Sequence, residues 1–204
     1  MRLNIRRMIM AAWGIPPYIK QCEYIENRNQ AFINTKVQGG SNCAYEITFL
    51  IRNSQSVPYP QIITNKDRPS FPKICFDNRI LIQYPGEIIS ILEGKEQIIS
   101  VVVNSNEYIV NGRTIAKEAS ISWGDYDVYL LSENPLCTPP KSTLYCKACI
   151  YMCKMYTDDV LVRDFIPVYN TLTSEYGMWD KVNQEFYGSA NDSKFTGVLL
   201  GVNS

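Results

Sequence analysis

Three cysteines stand close together late in the chain, Cys146, Cys149 and Cys153. Thiolates at such spacing can hold zinc or carry thiol–disulfide chemistry. Tetrahedral zinc needs four converging ligands, commonly two from each of two turns. Here the three thiols fall in one expected strand, where alternation throws Cys146 to one face and Cys149 and Cys153 to the other. The sequence has no histidine and no second close cysteine pair to complete a site. Cysteine is also among the most buried residue types. These three are therefore read as core residues, and neither a metal nor a cofactor is expected. The absence of histidine also removes the Ser-His-Asp triad, the Cys-His pair and the usual neutral-pH proton shuttle.

Carboxylates are the other reactive candidates, since glycoside hydrolysis needs two of them flanking one bond. Asp158-Asp159 falls between two expected strands and reads as a turn, where Asp can hydrogen-bond its own backbone. The string Trp123-Gly124-Asp125-Tyr126-Asp127 could stack a sugar on its rings and hold hydroxyls with its acids. It fits a loop over a packed aromatic equally well. Trp123, Asp125, Tyr126 and Asp127 are thus the candidate glycan contacts, and no residue is assigned as catalytic. Gly94-Lys95 lacks both the preceding glycine and the following Ser or Thr of a phosphate-binding loop. The sequon Asn191-Asp192-Ser193 matters only in a secreted chain.

The 204 residues carry 20 basic and 20 acidic side chains, and this balance argues against a nucleic-acid partner. Seven cysteines, an odd count without the density of a small secreted scaffold, suit a reducing compartment. The start mimics a secretory signal, with Arg2, Arg6 and Arg7 before an apolar stretch. That stretch is short and Gly14 breaks it, so the chain is read as soluble and not exported by a signal peptide. No run approaches the ~20 apolar residues that cross a bilayer, so no membrane insertion is expected. Residues 1–20 hold four cations and no acid. A short helix near Arg6–Trp13 followed by the stiff Pro16-Pro17 joint makes this an anchoring arm, with Arg2, Arg6, Arg7, Met8, Ile9, Met10 and Trp13 as its contacts. A frayed terminus is the competing reading.

The elements that must position these groups are strands. Apolar residues recur with period two far more often than with period 3.6. The clearest run sets Tyr45, Ile47, Phe49 and Ile51 against Glu46, Thr48, Leu50 and Arg52. Further strands are expected at Arg79–Tyr84, Glu87–Leu92, Gln97–Val103, Asp127–Leu131, Leu144–Tyr156, Val160–Arg163 and Phe165–Tyr169. Asn111-Gly112 between Tyr108–Val110 and Arg113–Ile115 is a type I′ hairpin signal. Many short strands with Pro- and Asn-rich punctuation predict an all-β chain, an antiparallel β-sandwich over residues 21–204 behind the arm of residues 1–20.

The final third is the most distinctive segment. It reads Cys153-Lys154-Met155-Tyr156, then Leu161-Val162-Arg163-Asp164-Phe165-Ile166-Pro167, then Gly177-Met178-Trp179-Asp180-Lys181-Val182-Asn183 and Glu185-Phe186-Tyr187-Gly188. Near the other end stand Glu23-Tyr24-Ile25-Glu26-Asn27 and Gln30-Ala31-Phe32-Ile33-Asn34-Thr35. Together these resemble a concanavalin-A-like (laminin-G-like) jelly-roll module of bacteriophage virion proteins, including those of crAss-like gut phages, across roughly Glu23 to Gly197. The resemblance implies a jelly roll displayed on the virion as a head fibre or capsid decoration, held by capsid or other virion proteins. A homo-oligomer is expected, a trimer before a dimer. Lectin-like binding of host surface polysaccharide by a receptor-binding module is the alternative. The fold also hosts glucanases with an E-x-D-x-x-E strand, and no such string occurs here, so no enzymatic activity is expected.

The resembling segment also makes sense as scaffold. Arg163 and Asp164 are adjacent and so project from opposite faces of a strand. Arg163 is then placed to pair with an acid across the sheet, and Asp164 to cap the turn region around Gly177. Phe165 and Pro167 fall on one face, Ile166 and Val168 on the other, which suits a central strand.

Overall fold

The structure is a computed structural model. It describes residues 14–28, 30–38, 43–52, 61–64, 73–76, 79–84, 87–93, 97–104, 107–117, 127–131 and 147–201. In chain order the strands are β1 (Ile19–Glu26), β2 (Ile33–Gln38), β3 (Cys43–Ile51), β4 (Gln61–Thr64), β5 (Lys73–Phe76), β6 (Arg79–Tyr84), β7 (Glu87–Glu93) and β8 (Ile98–Val103). They continue as β9 (Glu107–Val110), β10 (Arg113–Lys117), β11 (Asp127–Leu130), β12 (Ala148–Thr157), β13 (Val160–Asn170), β14 (Glu175–Asp180), β15 (Glu185–Tyr187) and β16 (Thr196–Leu199). No helix occurs among the described residues, and the chain is all-β as expected.

Two antiparallel sheets form. The larger runs β10-β9-β8-β3-β12-β1-β13-β14-β15, with β16 added on β1, and the smaller runs β2-β11-β4-β5-β6-β7. Their inner faces share one core. Tyr45, Ile47, Phe49, Val101, Ile150 and Phe165 come from the large sheet, and Ile33, Ile62, Ile74, Val128 and Leu130 from the small one. This is the β-sandwich the alternation predicts, because each strand must bury one apolar face against another layer.

Local sequence explains the turns. Asn111 and Gly112 both take positive φ, at 48° and 78°, as a type I′ turn between β9 and β10 demands. Asp158 and Asp159 do the same at 50° and 61° between β12 and β13, so this acidic pair is a turn. Beyond Cys153 and Phe165 the β12–β13 hairpin opens and β1 wedges into the gap. There Ile25 and Glu26 pair with Ile150 and Cys149, while Ile19, Lys20 and Gln21 pair with Asn170, Tyr169 and Val168.

The outer side of the large sheet carries a second apolar cluster of Ile15, Ile19, Ile166, Val168 and Trp179, with Phe186 packed on it. The strand β13 is therefore apolar on both sides, with Phe165 in the main core and Ile166 and Val168 in the outer cluster. Ile15 and Ile19 belong to the stretch around Pro16-Pro17, which packs on this face of the large sheet. The joint turns as a unit, with the Ile19 amide donating to the Pro16 carbonyl at 3.0 Å.

Candidate functional site

Several sequence-predicted positions lie outside the described residues. These are the arm contacts Arg2, Arg6, Arg7, Met8, Ile9, Met10 and Trp13, the helix expected there, Cys146, and Trp123, Asp125 and Tyr126 of the glycan patch. Asp127 of that patch opens β11 and is half-buried, its Oδ2 accepting from Asn34 Nδ2 on β2 at 2.9 Å. It ties two strands of the small sheet together.

Cys149 and Cys153 do not share a face. Alternation from Cys149 to Cys153 is broken by a bulge between Ile150 and Met152, which shifts the side-chain parity by one. Cys153 consequently enters the core beside Ile150, while Cys149 pairs with Leu50 on the other side, near Glu26 and Arg52. Burial, with Glu26 nearby and only partly offset by Arg52, pushes the Cys149 thiol up to about 11. Burial alone takes Cys22 to about 12 and carries Cys153 higher still, Glu46 and Asp164 adding to the latter. Thiols held protonated at neutral pH are poor nucleophiles and poor ligands. Cys22, Cys43, Cys149 and Cys153 are all buried and none forms a disulfide among the described residues, where no group of three potential metal ligands occurs either.

The resembling C-terminal segment forms one polar lock. Asp180 is wholly buried at the end of β14. Its Oδ1 accepts from the backbone amides of Asp164 and Val182 at 3.0 Å each, and its Oδ2 from Asn183 Nδ2 at 2.9 Å. Arg163 Nε lies 3.6 Å from Oδ2, so the arginine does find an acid across the sheet. The same Nε donates to the Thr35 carbonyl of β2 at 3.0 Å, which carries the network from the large sheet to the small one. The guanidinium sits 5.8 Å from the Tyr187 ring centre, and the Tyr187 hydroxyl donates to Glu185, itself paired with Lys36 of β2. Asp164 does not cap the region around Gly177. It pairs with Lys181 in the β14–β15 turn, because the strand places that turn beside it. Gly177 is closed instead by packing, since a Cβ there would stand 2.3 Å from the Tyr187 carbonyl oxygen.

A different arrangement lies just beyond. The β13–β14 turn and the segment between β15 and β16 enclose an open groove of about 230 Å³. Glu175 and Tyr176 stand on one side, with Asp192, Ser193 and Lys194 on the other. Its frame is fixed. Asn191 Oδ1 accepts from Ser189 Oγ at 2.8 Å and from the Ser193 amide at 3.0 Å, while its Nδ2 donates to the Gln30 carbonyl at 3.0 Å. The Ala190 amide donates to the Phe32 carbonyl at 2.8 Å, and Phe195 is buried in the core. The sequon asparagine thus serves as the pin of this loop.

No model of a known protein family matches the chain, and no curated protein matches it. Function must be read from the groups themselves. Of the described polar residues, those of the lock are bound to one another, whereas the side chains of Glu175, Asp192 and Lys194 make no hydrogen bond or ion pair among the described residues. Such a groove can exchange hydrogen bonds with a ligand. Sequence reasoning missed it because Glu175 and Asp192 are 17 positions apart and meet only through the sheet; the one local cue was the polar run Ser189–Lys194, noted only for its sequon.

Proposed function

We propose that this chain is a non-enzymatic virion structural protein of a bacteriophage, a head fibre or capsid decoration shown on the particle surface. In this reading the sandwich is a concanavalin-A-like jelly roll made in the host cytoplasm. It is attached to capsid or other virion proteins by its basic N-terminal arm and needs neither nucleic acid nor membrane insertion. A homo-oligomer, a trimer before a dimer, would offer several heads at once and so gain avidity.

The supporting observation is the fate of the segment that resembles the phage module. In its C-terminal part the charged residues Lys154, Arg163, Asp164, Asp180, Lys181 and Glu185 are engaged in joining strands and sheets. A stretch whose charged groups are committed to the frame is a folding signature, which suits a display module and leaves little for catalysis. The test is deletion of residues 1–13, which keeps Ile15 and Ile19 on the outer cluster. The unfolding midpoint should hold while incorporation into particles is lost; normal incorporation would remove the anchor from the account.

A second reading, a carbohydrate-binding receptor-binding module, is favoured by one observation: polar side chains without partners stand around an open groove on a fixed frame. In that reading the Trp123, Asp125, Tyr126 and Asp127 patch and the groove are separate candidates for the glycan contact.

A further inference from the structure

We propose that the groove between the β13–β14 turn and residues 188–195 binds neutral, hydroxyl-rich sugar units. The inference deepens the carbohydrate-binding reading and rests on it, while assigning the contact to residues outside the Trp123 patch.

The groove joins a hydrogen-bonded frame to uncommitted polar side chains. Its frame is immobilised on both sides. Asn191 pins the loop to Gln30 and Ala190 pins it to Phe32, while Phe195 plugs the core. The Tyr176 ring is held by the Tyr169 ring at 4.8 Å and lies against Gly197, where a Cβ would approach it to 2.7 Å. Its functional groups, by contrast, are uncommitted. Glu175, Asp192 and Lys194 reach the groove without partners among the described residues, next to the hydroxyls of Ser174 and Ser193. The hydrogen-bonded frame spares a ligand the cost of ordering the loop backbone, while the free side chains are ordered on binding.

The chemistry of those ends selects the ligand. Carboxylates accept hydrogen bonds from neighbouring hydroxyl pairs, an ammonium donates to ring and glycosidic oxygens, and serine hydroxyls do either. A tyrosine ring offers a rigid apolar wall with a polar tip. Two carboxylates against one ammonium leave the groove acidic, so phosphate and uronic or sialic acids are disfavoured. At about 230 Å³ and open to solvent, the groove is smaller than enclosed small-molecule sites, which run from about 300 to 1,000 Å³. It suits a short stretch of a longer saccharide chain laid across it.

The full chain should be applied to a printed array holding neutral, amino and acidic oligosaccharides, and the strongest neutral one then titrated calorimetrically. Neutral glycans should bind, and the double variant Glu175→Gln/Asp192→Asn should bind them about tenfold or more weakly, as hydrogen bonds to charged groups are lost. The thermal midpoint should not move. Asp159→Asn, at an exposed acid in the β12–β13 turn, should leave binding unchanged and so exclude a general charge effect. Binding indifferent to the double variant, binding lost only in Trp123→Ala, or a preference for acidic sugars would overturn the groove assignment while leaving the carbohydrate reading in place. No binding at any spot would overturn both.

Discussion

Two regions within a few residues of each other treat their charges in opposite ways. In the lock, Asp180 is wholly buried, accepts three hydrogen bonds and faces Arg163, which itself bridges to the opposite sheet. In the groove, Glu175 of the same strand and Asp192 have no partner among the described residues. The contrast lies along a single strand, with the acid at the start of β14 free and the acid at its end committed. Residue type alone therefore says little about role. A buried carboxylate must be paired, because an uncompensated charge away from water is strongly destabilising. A free one on a fixed frame is available to something outside the chain.

The contrast sets a graded series of expected effects. The largest belongs to the core beneath the lock. Phe165→Ala removes a ring that is wholly buried and meets Tyr187 edge-on at 5.1 Å. Denaturant unfolding should show a loss of about 3–5 kcal/mol. Next is Gly177→Ala, whose new methyl would press on the Tyr187 carbonyl and the Phe186 ring, 2.8 Å away. Overpacking against backbone should cost about 1–3 kcal/mol by the same measurement. A cost near zero would mean that β14 and β15 are less tightly joined than their register indicates.

The thiols give a dependence on alkaline pH. Cys22 and Cys149 have folded values raised chiefly by burial, to about 12 and about 11, above the ordinary value of 9.0. The folded chain keeps the proton that the unfolded chain releases. Their contribution is therefore complete below pH 9 and is lost as pH rises through the folded values. Urea midpoints should fall above pH 9, and less so in Cys22→Ala; a flat profile there would show that these thiols are exposed. The smallest effect is at the rim of the lock. Burial works against the charged form of Glu185, but hydrogen bonds from Tyr187 and Lys36 and the charges of Lys36 and Arg163 prevail and lower its value. Its contribution is present above about pH 4.5 and lost as pH falls through the lowered folded value. The Lys36–Glu185 pair is largely exposed, so Glu185→Gln should change stability at pH 7 by no more than about 0.5 kcal/mol.

The sequence made much of this sandwich legible where strands were regular. Tyr45 to Ile51 alternates cleanly, and Asn111-Gly112 announces its turn. It concealed β1, because Ile19 is buried in the outer cluster and Ile25 in the main core and a register shift falls between Cys22 and Ile25, so the buried Ile19, Cys22 and Ile25 recur every three residues, a pattern no period-two search will find. The bulge in β12 caused the misplacement of Cys149 for the same reason. In β14, Gly177 and Asp180 read locally as loop residues, and only the neighbouring strand and the Tyr187 carbonyl explain why a glycine is needed there. The Arg163–Asp180 pair could be anticipated because both belong to the distinctive segment. The groove could not, since its walls come from a hairpin turn and a loop that only the folded sheet brings together.

The division between committed and free charge is tested most directly by neutralising one acid of each kind on the same strand. Equilibrium denaturation of Asp180→Asn and of Glu175→Gln should be measured side by side at neutral pH. Asp180→Asn should lose about 3 kcal/mol, because Arg163 and the amides of Asp164 and Val182 are left facing a weaker acceptor in a buried site. Glu175→Gln should remain within about 0.5 kcal/mol of the parent chain. Equal losses in the two variants, or a larger one for Glu175, would contradict the account.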